Sequence, residues 1–214
     1  MKPVAILILL LLATLLNQGA WAMGDIAIGD PELKGTGCPT GTARAVLSPD
    51  GSAISILFDE FMLEIKRKQE YPESQIKRTC YFKIPVSAPP GFMIEASRID
   101  YRGYAQFTKQ TTAYLTTAGP ILNPMQNDVT VRPKITRIPP GDDVFTISHT
   151  IKPNYHTAKC KKGKTLEFST EIKFVGPLIN RPNFIMEEAL LVIDSADIAN
   201  EGDIQIGIRL KECD

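Results

Sequence analysis

The sequence predicts an all-β fold: an antiparallel β-sandwich, jelly-roll or immunoglobulin-like, with at most one short helix. Two observations support this prediction. Alternating apolar and polar residues, the period of a half-buried strand, recur along the chain. Turns rich in proline and glycine separate these runs. A sandwich suits such strands because its two sheets bury alternate residues against each other.

The first marked element is a β-hairpin over residues 35–61, GTGCPTGTARAVLSPDGSAISILFDEF. In its returning run, Ile54, Ile56 and Phe58 occupy alternate positions and predict the buried face of a strand. The turn is predicted at residues 48–51, Ser-Pro-Asp-Gly. Proline presets φ for its place in the turn, and glycine tolerates the left-handed conformation that closes such a loop.

Further strand-like segments follow in chain order: residues 58–65, 81–86, 92–106, 108–117, 129–138, 144–151, 165–175 and 204–210. Residues 66–78 form a charged connection between the first two of these segments. In residues 165–175, alternate positions predict a buried face of Leu166, Phe168, Thr170, Ile172 and Phe174. The segment Phe184–Ile193 suits either a short helix or a strand.

The segment Phe92–Gln106 alternates strongly, but glycine interrupts it. One face would hold Met93, Glu95, Ser97, Ile99 and Tyr101, and the other Phe92, Ile94, Ala96, Arg98 and Asp100. Glycine inside a strand is typical of a bulge or of a close backbone approach. We therefore expect one of these two irregularities at Gly103.

The N-terminus has the features of a signal peptide over residues 1–22. Lys2 is followed by the apolar run Val4–Leu16, and Ala20-Trp21-Ala22 fits the small-x-small rule for cleavage. The run is shorter than the roughly 20 residues of a membrane-spanning helix, although an uncleaved anchor is the alternative. We expect residues 23–214 to form one secreted domain without a membrane span. It would be extracellular, or periplasmic in a Gram-negative bacterium.

The charge balance argues against nucleic acid and anionic membranes as main partners. Lys plus Arg number 24, and Asp plus Glu also number 24. Proteins that bind polyanions mainly by charge carry a basic excess that this chain lacks.

Four cysteines predict two disulfides, because an even number in an exported chain usually forms bridges. They are Cys38, Cys80, Cys160 and Cys213. Zinc is the competing explanation, but no two cysteines have the short spacing of a zinc knuckle. Three pairings are possible. We prefer Cys38–Cys80 with Cys160–Cys213, since each pair would then join strand ends on a common edge.

Four sequence features occur in an order that resembles a known family. They are the elbow GTGCP (Gly35–Pro39), the hairpin LSPDGSAISILFDEF, the segment IDYRGYAQ (Ile99–Gln106) and a cysteine after the last strand. Together they resemble the secreted family known as domain of unknown function 4360, seen in fungal and bacterial exported proteins. The resemblance spans about Gly35 to Cys213. It implies an extracellular β-domain with disulfides, and it implies neither a reaction nor site residues.

Few residues suggest catalysis or metal binding. The serine hydrolase, HExxH and EF-hand patterns are absent. His149 and His156 could bind a metal with Asp142 or Asp143, although ordinary surface or core histidines are the simpler interpretation. The adjacent pair Asp59-Glu60 faces opposite sides of a strand, so it cannot flank one glycosidic bond. We predict no catalytic residues, no metal and no cofactor.

One segment has the composition of a binding surface. Its candidate residues are Asp100, Tyr101, Arg102, Tyr104 and Gln106. Tyrosine and arginine are favoured in binding sites because they offer flat faces with polar ends. The alternative is that these residues form ordinary cross-strand pairs. A lysine cluster could also contact an acidic polymer, or be only a solvated loop; it comprises Lys159, Lys161, Lys162 and Lys164.

These observations predict a secreted, non-enzymatic module that binds or structures the cell surface or its surroundings. Its partner would be a cell-wall polysaccharide or a surface protein. The alternative is a secreted hydrolase or lyase acting on polysaccharide, with a site assembled from distant strands. A cleft that places two carboxylates about 5–10 Å apart would favour this alternative.

Overall fold

The computed structural model describes residues 26–66, 76–109, 111–119, 133–151, 164–175, 188–193 and 204–213. The predicted signal peptide, His156, Cys160 and three of the clustered lysines (Lys159, Lys161 and Lys162) lie outside these residues. Within them every regular element is a strand, in agreement with the all-β prediction. No helix in this part of the chain is long and apolar enough to cross a membrane.

The described residues contain 13 strands. In chain order they are β1 (Ala27–Ile28), β2 (Glu32–Lys34), β3 (Ala43–Leu47), β4 (Ala53–Phe58), β5 (Met62–Ile65), β6 (Lys77–Ser87), β7 (Phe92–Phe107), β8 (Thr112–Ala118), β9 (Lys134–Ile138), β10 (Gly141–Thr150), β11 (Lys164–Val175), β12 (Ala189–Val192) and β13 (Ile204–Glu212). The segment that suited helix or strand therefore contributes a strand, β12.

The strands form two antiparallel sheets around one hydrophobic core. Sheet 1 has the order β1-β6-β11-β8-β9, with β2 also paired to β6. Sheet 2 has the order β3-β4-β13-β7-β12-β5, with β10 also paired to β7. Alternate residues of both sheets belong to the same buried cluster, including Phe58 of β4 and Phe82 of β6. Their rings meet edge to face with centroids 6.1 Å apart. The jelly-roll or immunoglobulin-like subtype stays a prediction.

The opening hairpin is confirmed as the pair β3–β4. The two strands pair from Ala43 opposite Phe58 to Leu47 opposite Ile54. At the turn, the Gly51 amide donates to the Ser48 carbonyl at 2.9 Å, and Gly51 has a φ of 68°. This is the left-handed conformation for which glycine is favoured.

The long strand β7 organises sheet 2, and a bulge divides it. Gly207 pairs with Arg98, whereas the next residue, Ile208, pairs with Ala96. Ser97 is therefore an extra residue, and its hydroxyl donates to the Gly207 carbonyl at 3.1 Å. An extra residue reverses the face onto which later side chains point. For this reason the core contains Ile94 and Ala96 before the bulge but Ile99 and Tyr101 after it.

This arrangement corrects the predicted alternation of Phe92–Gln106, which placed Ile94 and Ile99 on opposite faces. It also decides between the two roles expected for Gly103. The pairing with Phe145 is regular there, so Gly103 is not the bulge. A Cβ at Gly103 would lie 2.2 Å from the Val192 carbonyl oxygen. The glycine thus permits a close backbone approach.

One of the two preferred disulfides is present, between Cys38 and Cys80. Both cysteines are fully buried. The glycine-rich elbow lies directly against β6, since a Cβ at Gly35 would come within 2.1 Å of the Thr79 carbonyl oxygen. Cys213 is not a free thiol. Because Cys160 is outside the described residues, the Cys160–Cys213 pair stays a prediction.

Candidate functional site

Four of the five predicted binding residues lie on the outer face of sheet 2. Along β7 after the bulge, Asp100, Arg102, Tyr104 and Gln106 alternate with buried residues. Tyr101 is fully buried between the sheets. Its hydroxyl lies 2.5 Å from the Thr117 hydroxyl and 3.1 Å from that of Thr170. The strand therefore brings four of these residues to one surface and directs the fifth into the core.

Asp100 and Tyr104 of the outer face have partners within the sheet. The Asp100 carboxylate forms an ion pair with Arg98, with 2.6 Å between Oδ2 and Nε. The Tyr104 hydroxyl donates to the Asp142 carboxylate on the neighbouring strand. This hydrogen bond, with a contribution from desolvation, raises the pKa of Tyr104. Pairing within β7 and between β7 and β10 thus explains part of this composition, and ligand binding by the face stays a prediction.

Tyr101 belongs to a buried polar network that also contains His149. His149 Nδ1 lies 2.9 Å from the Thr117 hydroxyl, and Nε2 lies 2.9 Å from the Thr136 hydroxyl. Thr117 and Thr136 are on sheet 1, whereas Tyr101 and His149 are on sheet 2. The network therefore connects the sheets through their interior. Among the described residues, no buried side-chain nitrogen or oxygen lacks a partner.

Burial determines the protonation of this network. Desolvation, helped by the charge of Lys134, lowers the pKa of His149 to about 4. Burial raises the pKa of Tyr101 to about 12. Both groups are neutral at pH 7, as buried groups bonded only to hydroxyls should be. His149 is thus a core histidine with both ring nitrogens satisfied by threonines.

A groove crosses the outer face of sheet 1. Its volume is about 450 Å³, and Tyr81 lies in its lining with 55% of its surface exposed. The polar side chains of the lining are Glu32, Lys34, Lys83, Glu167 and Ser169. The strand register aligns Glu32, Lys83 and Glu167 in one row across β2, β6 and β11. Lys34, Tyr81 and Ser169 form the adjacent row.

Three of the four charged side chains of the groove form ion pairs, Lys34 and Lys83 each with Glu32. Glu32 accepts a hydrogen bond of 2.9 Å from Lys34 Nζ, and Lys83 Nζ lies 3.7 Å from its other carboxylate oxygen. The hydrogen bond and charge of Lys34, followed by the charge of Lys83, lower the pKa of Glu32. Exposed pairs of this kind contribute little to stability. Their effect here is to give the groove two cations and two anions in alternation.

The floor of the groove is supported by two buried aromatic rings. Beneath it, Phe82 and Phe168 stack with ring centroids 4.3 Å apart and planes 15° apart. At the β8 end, Gly119 has a φ of 122°, and a Cβ there would lie 2.9 Å from the Phe168 Cα. Gly119 therefore brings the backbone at that end close to β11, where a side chain would not fit. An exposed aromatic ring among hydrogen-bond donors and acceptors is suited to binding a polar ligand.

Sequence reasoning missed the groove, although it contained one signal. In residues 81–86, Tyr81 occupies the face that also holds Lys83, opposite the buried Phe82 and Ile84. A large aromatic side chain on the polar face of a strand is the pattern that could have identified it. The register with Glu32 and Glu167 could not be derived from local sequence.

This chain is similar to a secreted protein by sequence and, weakly, to a solved structure. A protein of Arthroderma benhamiae (strain ATCC MYA-4681 / CBS 112371), named "Uncharacterized secreted protein", is 36% identical over 75 residues, or 35% of this chain. The match spans 30% of that relative's length. The solved structure of TmCBM61 in complex with β-1,4-galactotriose covers 85% of this chain and 88% of its own. Its identity is 8% and its TM-score is 0.24, too low to support a conclusion about this protein.

The family relationship covers most of the chain. Residues 24–206 match the family described as domain of unknown function (DUF4360). This range contains the elbow, the hairpin and the IDYRGYAQ segment that suggested the family from the sequence. The protein therefore belongs to the DUF4360 family.

Proposed function

We propose that this protein is an exported, non-enzymatic module that binds a component of the cell surface or of the extracellular space. The groove on the outer face of sheet 1 is the observation that supports this function. Its volume of about 450 Å³ falls within the range of about 300–1,000 Å³ that is common for ligand sites. It lies on strands of a scaffold that we infer to be a β-sandwich, so the backbone that carries its residues is formed before a ligand arrives.

Three observations support the exported location. The N-terminus has the features of a signal peptide over residues 1–22, which would leave 23–214 as the single domain. The Cys38–Cys80 disulfide is typical of proteins that fold in an oxidising compartment. The fungal relative is named as a secreted protein.

The alternative of a polysaccharide hydrolase is less well supported by the groove. Glu32 and Glu167 both line it, and Lys83 lies between them in register. Two strand spacings place their Cα atoms about 10 Å apart. A glycosidase, however, needs one carboxyl group whose pKa is raised so that it can act as an acid. The neighbouring lysines lower the pKa of Glu32, which favours binding over proton transfer.

The test compares the two outer faces of the protein. Exported protein, collected with its disulfides formed, is incubated with isolated cell-wall polysaccharide and with biotinylated surface proteins. The groove variant Lys83→Ala/Glu167→Ala should lose retention, because it removes one donor and one acceptor from the lining. The matched variant Arg102→Ala/Gln106→Ala, on sheet 2, should keep it.

Two results would contradict the proposal. Retention lost only in the sheet 2 variant would assign binding to the surface that the sequence predicted. If the unaltered protein were retained by neither preparation, the function as a binding module would be refuted. Circular dichroism of both variants verifies that they are folded.

A further inference from the structure

We propose that the ligand of the groove is a short stretch of an uncharged polysaccharide, with one sugar ring packed on Tyr81. This inference rests on the proposed binding function and specifies its ligand. It follows from three properties of the groove: the position of the aromatic ring, the pairing of the charges and the direction of the groove across the strands.

The ring of Tyr81 is presented in a way that fits a sugar. It is 55% exposed, although it lies on β6, which has strands paired on both sides. Lys34 and Ser169 are its neighbours in register. An aromatic face attracts apolar C–H groups, while the polar side chains around it can bond hydroxyls. A pyranose ring has both features, since its hydroxyl groups surround carbon faces that carry hydrogen.

The charges of the groove favour a neutral ligand. Glu32 lies within 4 Å of both Lys34 and Lys83, and Glu167 is in register with Lys83. A polyanion would be attracted by the two lysines but repelled by the two carboxylates. A polycation would be attracted by the carboxylates but repelled by the lysines. A sugar hydroxyl avoids this conflict because it can donate to a carboxylate and accept from an ammonium group.

The same side chains disfavour a protein partner. The centres of protein interfaces are depleted in lysine and glutamate, and a stable interface needs about 800 Å² from each partner. Here lysine and glutamate occupy the centre of the surface, as the Glu32–Lys83–Glu167 row shows. The hydroxyl groups of a sugar can form hydrogen bonds with such lysine and glutamate side chains while these remain partly in contact with water.

The direction of the groove favours a chain over a single sugar. Its lining runs from β2 through β6 and β11 to Gly119 at the end of β8. Three strand spacings give a length of about 14 Å. The stacked Phe82 and Phe168 fix the two central strands from below. An extended lining on paired strands can contact several sugar units without a rearrangement of the protein backbone.

The experiment measures binding of defined oligosaccharides by isothermal titration calorimetry. The neutral probes are hexamers of β-1,4-glucose, β-1,3-glucose, β-1,4-mannose and β-1,4-xylose. The charged probes are polygalacturonic acid and chitosan. At least one neutral hexamer should bind more tightly than either charged polymer, and its affinity should change less than twofold between low and high salt, because screening acts on charged ligands.

Variants test the role of the ring. Tyr81→Ala should weaken binding at least about tenfold, which corresponds to 1.4 kcal/mol. Tyr81→Phe should keep affinity within about threefold of the unaltered protein, because the ring is retained. Tyr114→Ala is the matched control, since Tyr114 is on the outer face of β8 in register with Lys173 and does not line the groove. It should bind normally.

The possible results distinguish an error in the inferred ligand from an error in the proposed binding function. If a charged polymer binds best, or if Tyr81→Ala and Tyr114→Ala behave alike, the ligand inference is wrong while the binding module stands. The same conclusion holds if no neutral hexamer binds but a surface protein is retained. Failure of every polysaccharide and surface-protein preparation would refute both proposals.

Discussion

The buried His149 should make the stability of the protein depend on pH between about 6.5 and 4. In the folded protein its pKa is lowered to about 4, whereas an unfolded histidine titrates near 6.5. Between these two values the unfolded chain binds more protons than the folded one. The free energy of unfolding therefore falls as the pH is lowered through this window. Above it, the contribution of His149 is fully present.

The size of this effect follows from the two pKa values. A difference of about 2.5 units corresponds to at most about 3.4 kcal/mol, since each unit is 1.36 kcal/mol. Near pH 5.5, about 1.4 kcal/mol of this should already be lost. The His149 side chain is only 3% exposed, so this value is an upper limit that any solvent screening would reduce. Carboxylates such as Glu32, whose pKa is lowered, add their own loss at lower pH.

The assay is urea denaturation at pH 7.5, 6.5, 5.5 and 4.5, followed by far-UV circular dichroism with the disulfides intact. Fluorescence is unsuitable because the single tryptophan, Trp21, is in the predicted signal peptide. The comparison is with His149→Gln, whose amide can donate and accept but does not titrate. This variant should be less stable at pH 7.5 and should lose less stability on acidification than the unaltered protein.

Subtraction isolates the contribution of His149. All other titrating groups, His156 among them, are shared by the two proteins and cancel in the difference. The difference in unfolding free energy should shrink by about 1.4 kcal/mol between pH 7.5 and 5.5. Parallel pH profiles for the two proteins would refute the assignment of a neutral core histidine. Unequal m-values would show that the two-state treatment does not hold.

Three further predictions concern stability. Thr136→Val should cost about 1–3 kcal/mol in urea denaturation, because it leaves the ring Nε2 of the core histidine without its partner; an unchanged midpoint would contradict this hydrogen bond. Cys38→Ala/Cys80→Ala removes a disulfide that joins residues 42 positions apart. The free energy of unfolding should fall by about 4 kcal/mol in the chain-entropy model. A loss below about 1 kcal/mol would argue against that model for this protein. Gly103→Ala should lower the melting temperature strongly, because the new Cβ would lie 2.2 Å from a carbonyl oxygen of β12. The control Gly141→Ala should leave the melting temperature unchanged, because a Cβ there meets open space. Equal effects of the two substitutions would refute the close approach at Gly103.

Much of the fold was predictable because local patterns matched the final environment. The five residues expected to be buried in residues 165–175, from Leu166 to Phe174, are buried in β11. The β3–β4 hairpin was predictable because its two strands are adjacent and joined by characteristic turn residues. In both segments the alternation is uninterrupted, so local reasoning was sufficient.

Features that depend on distant pairing were not predictable. The bulge at Ser97 exists because of its register with Gly207, 110 residues later. The strand β6 begins at Lys77 and not near Tyr81, because the charged segment before Tyr81 pairs with β11. The sequence contains nothing at Ser97 or Lys77 that reveals these partners.

The candidate sites show the same division. Alternation alone could have predicted that Tyr101 and its neighbours Asp100 and Arg102 lie on opposite faces of the strand, since adjacent residues of a strand point to opposite sides. The groove was beyond such reasoning. It combines Tyr81 with Glu167 from a strand far along the chain, and only the assembled sheet brings them together.

The position of β7 has a consequence for the folding of the chain. Its pairing partners, β10, β12 and β13, all follow it in sequence, and β4 pairs with β13 as well. Sheet 2 can therefore be completed only after β13, Ile204–Glu212, has been synthesised. Until then the β3–β4 hairpin has no strand through which to join β7. Such non-local topology slows folding, because long loops must close before their contacts form. Sheet 1 has no such requirement, since all of its strands precede Gly176, so the two sheets can be completed at different stages of synthesis.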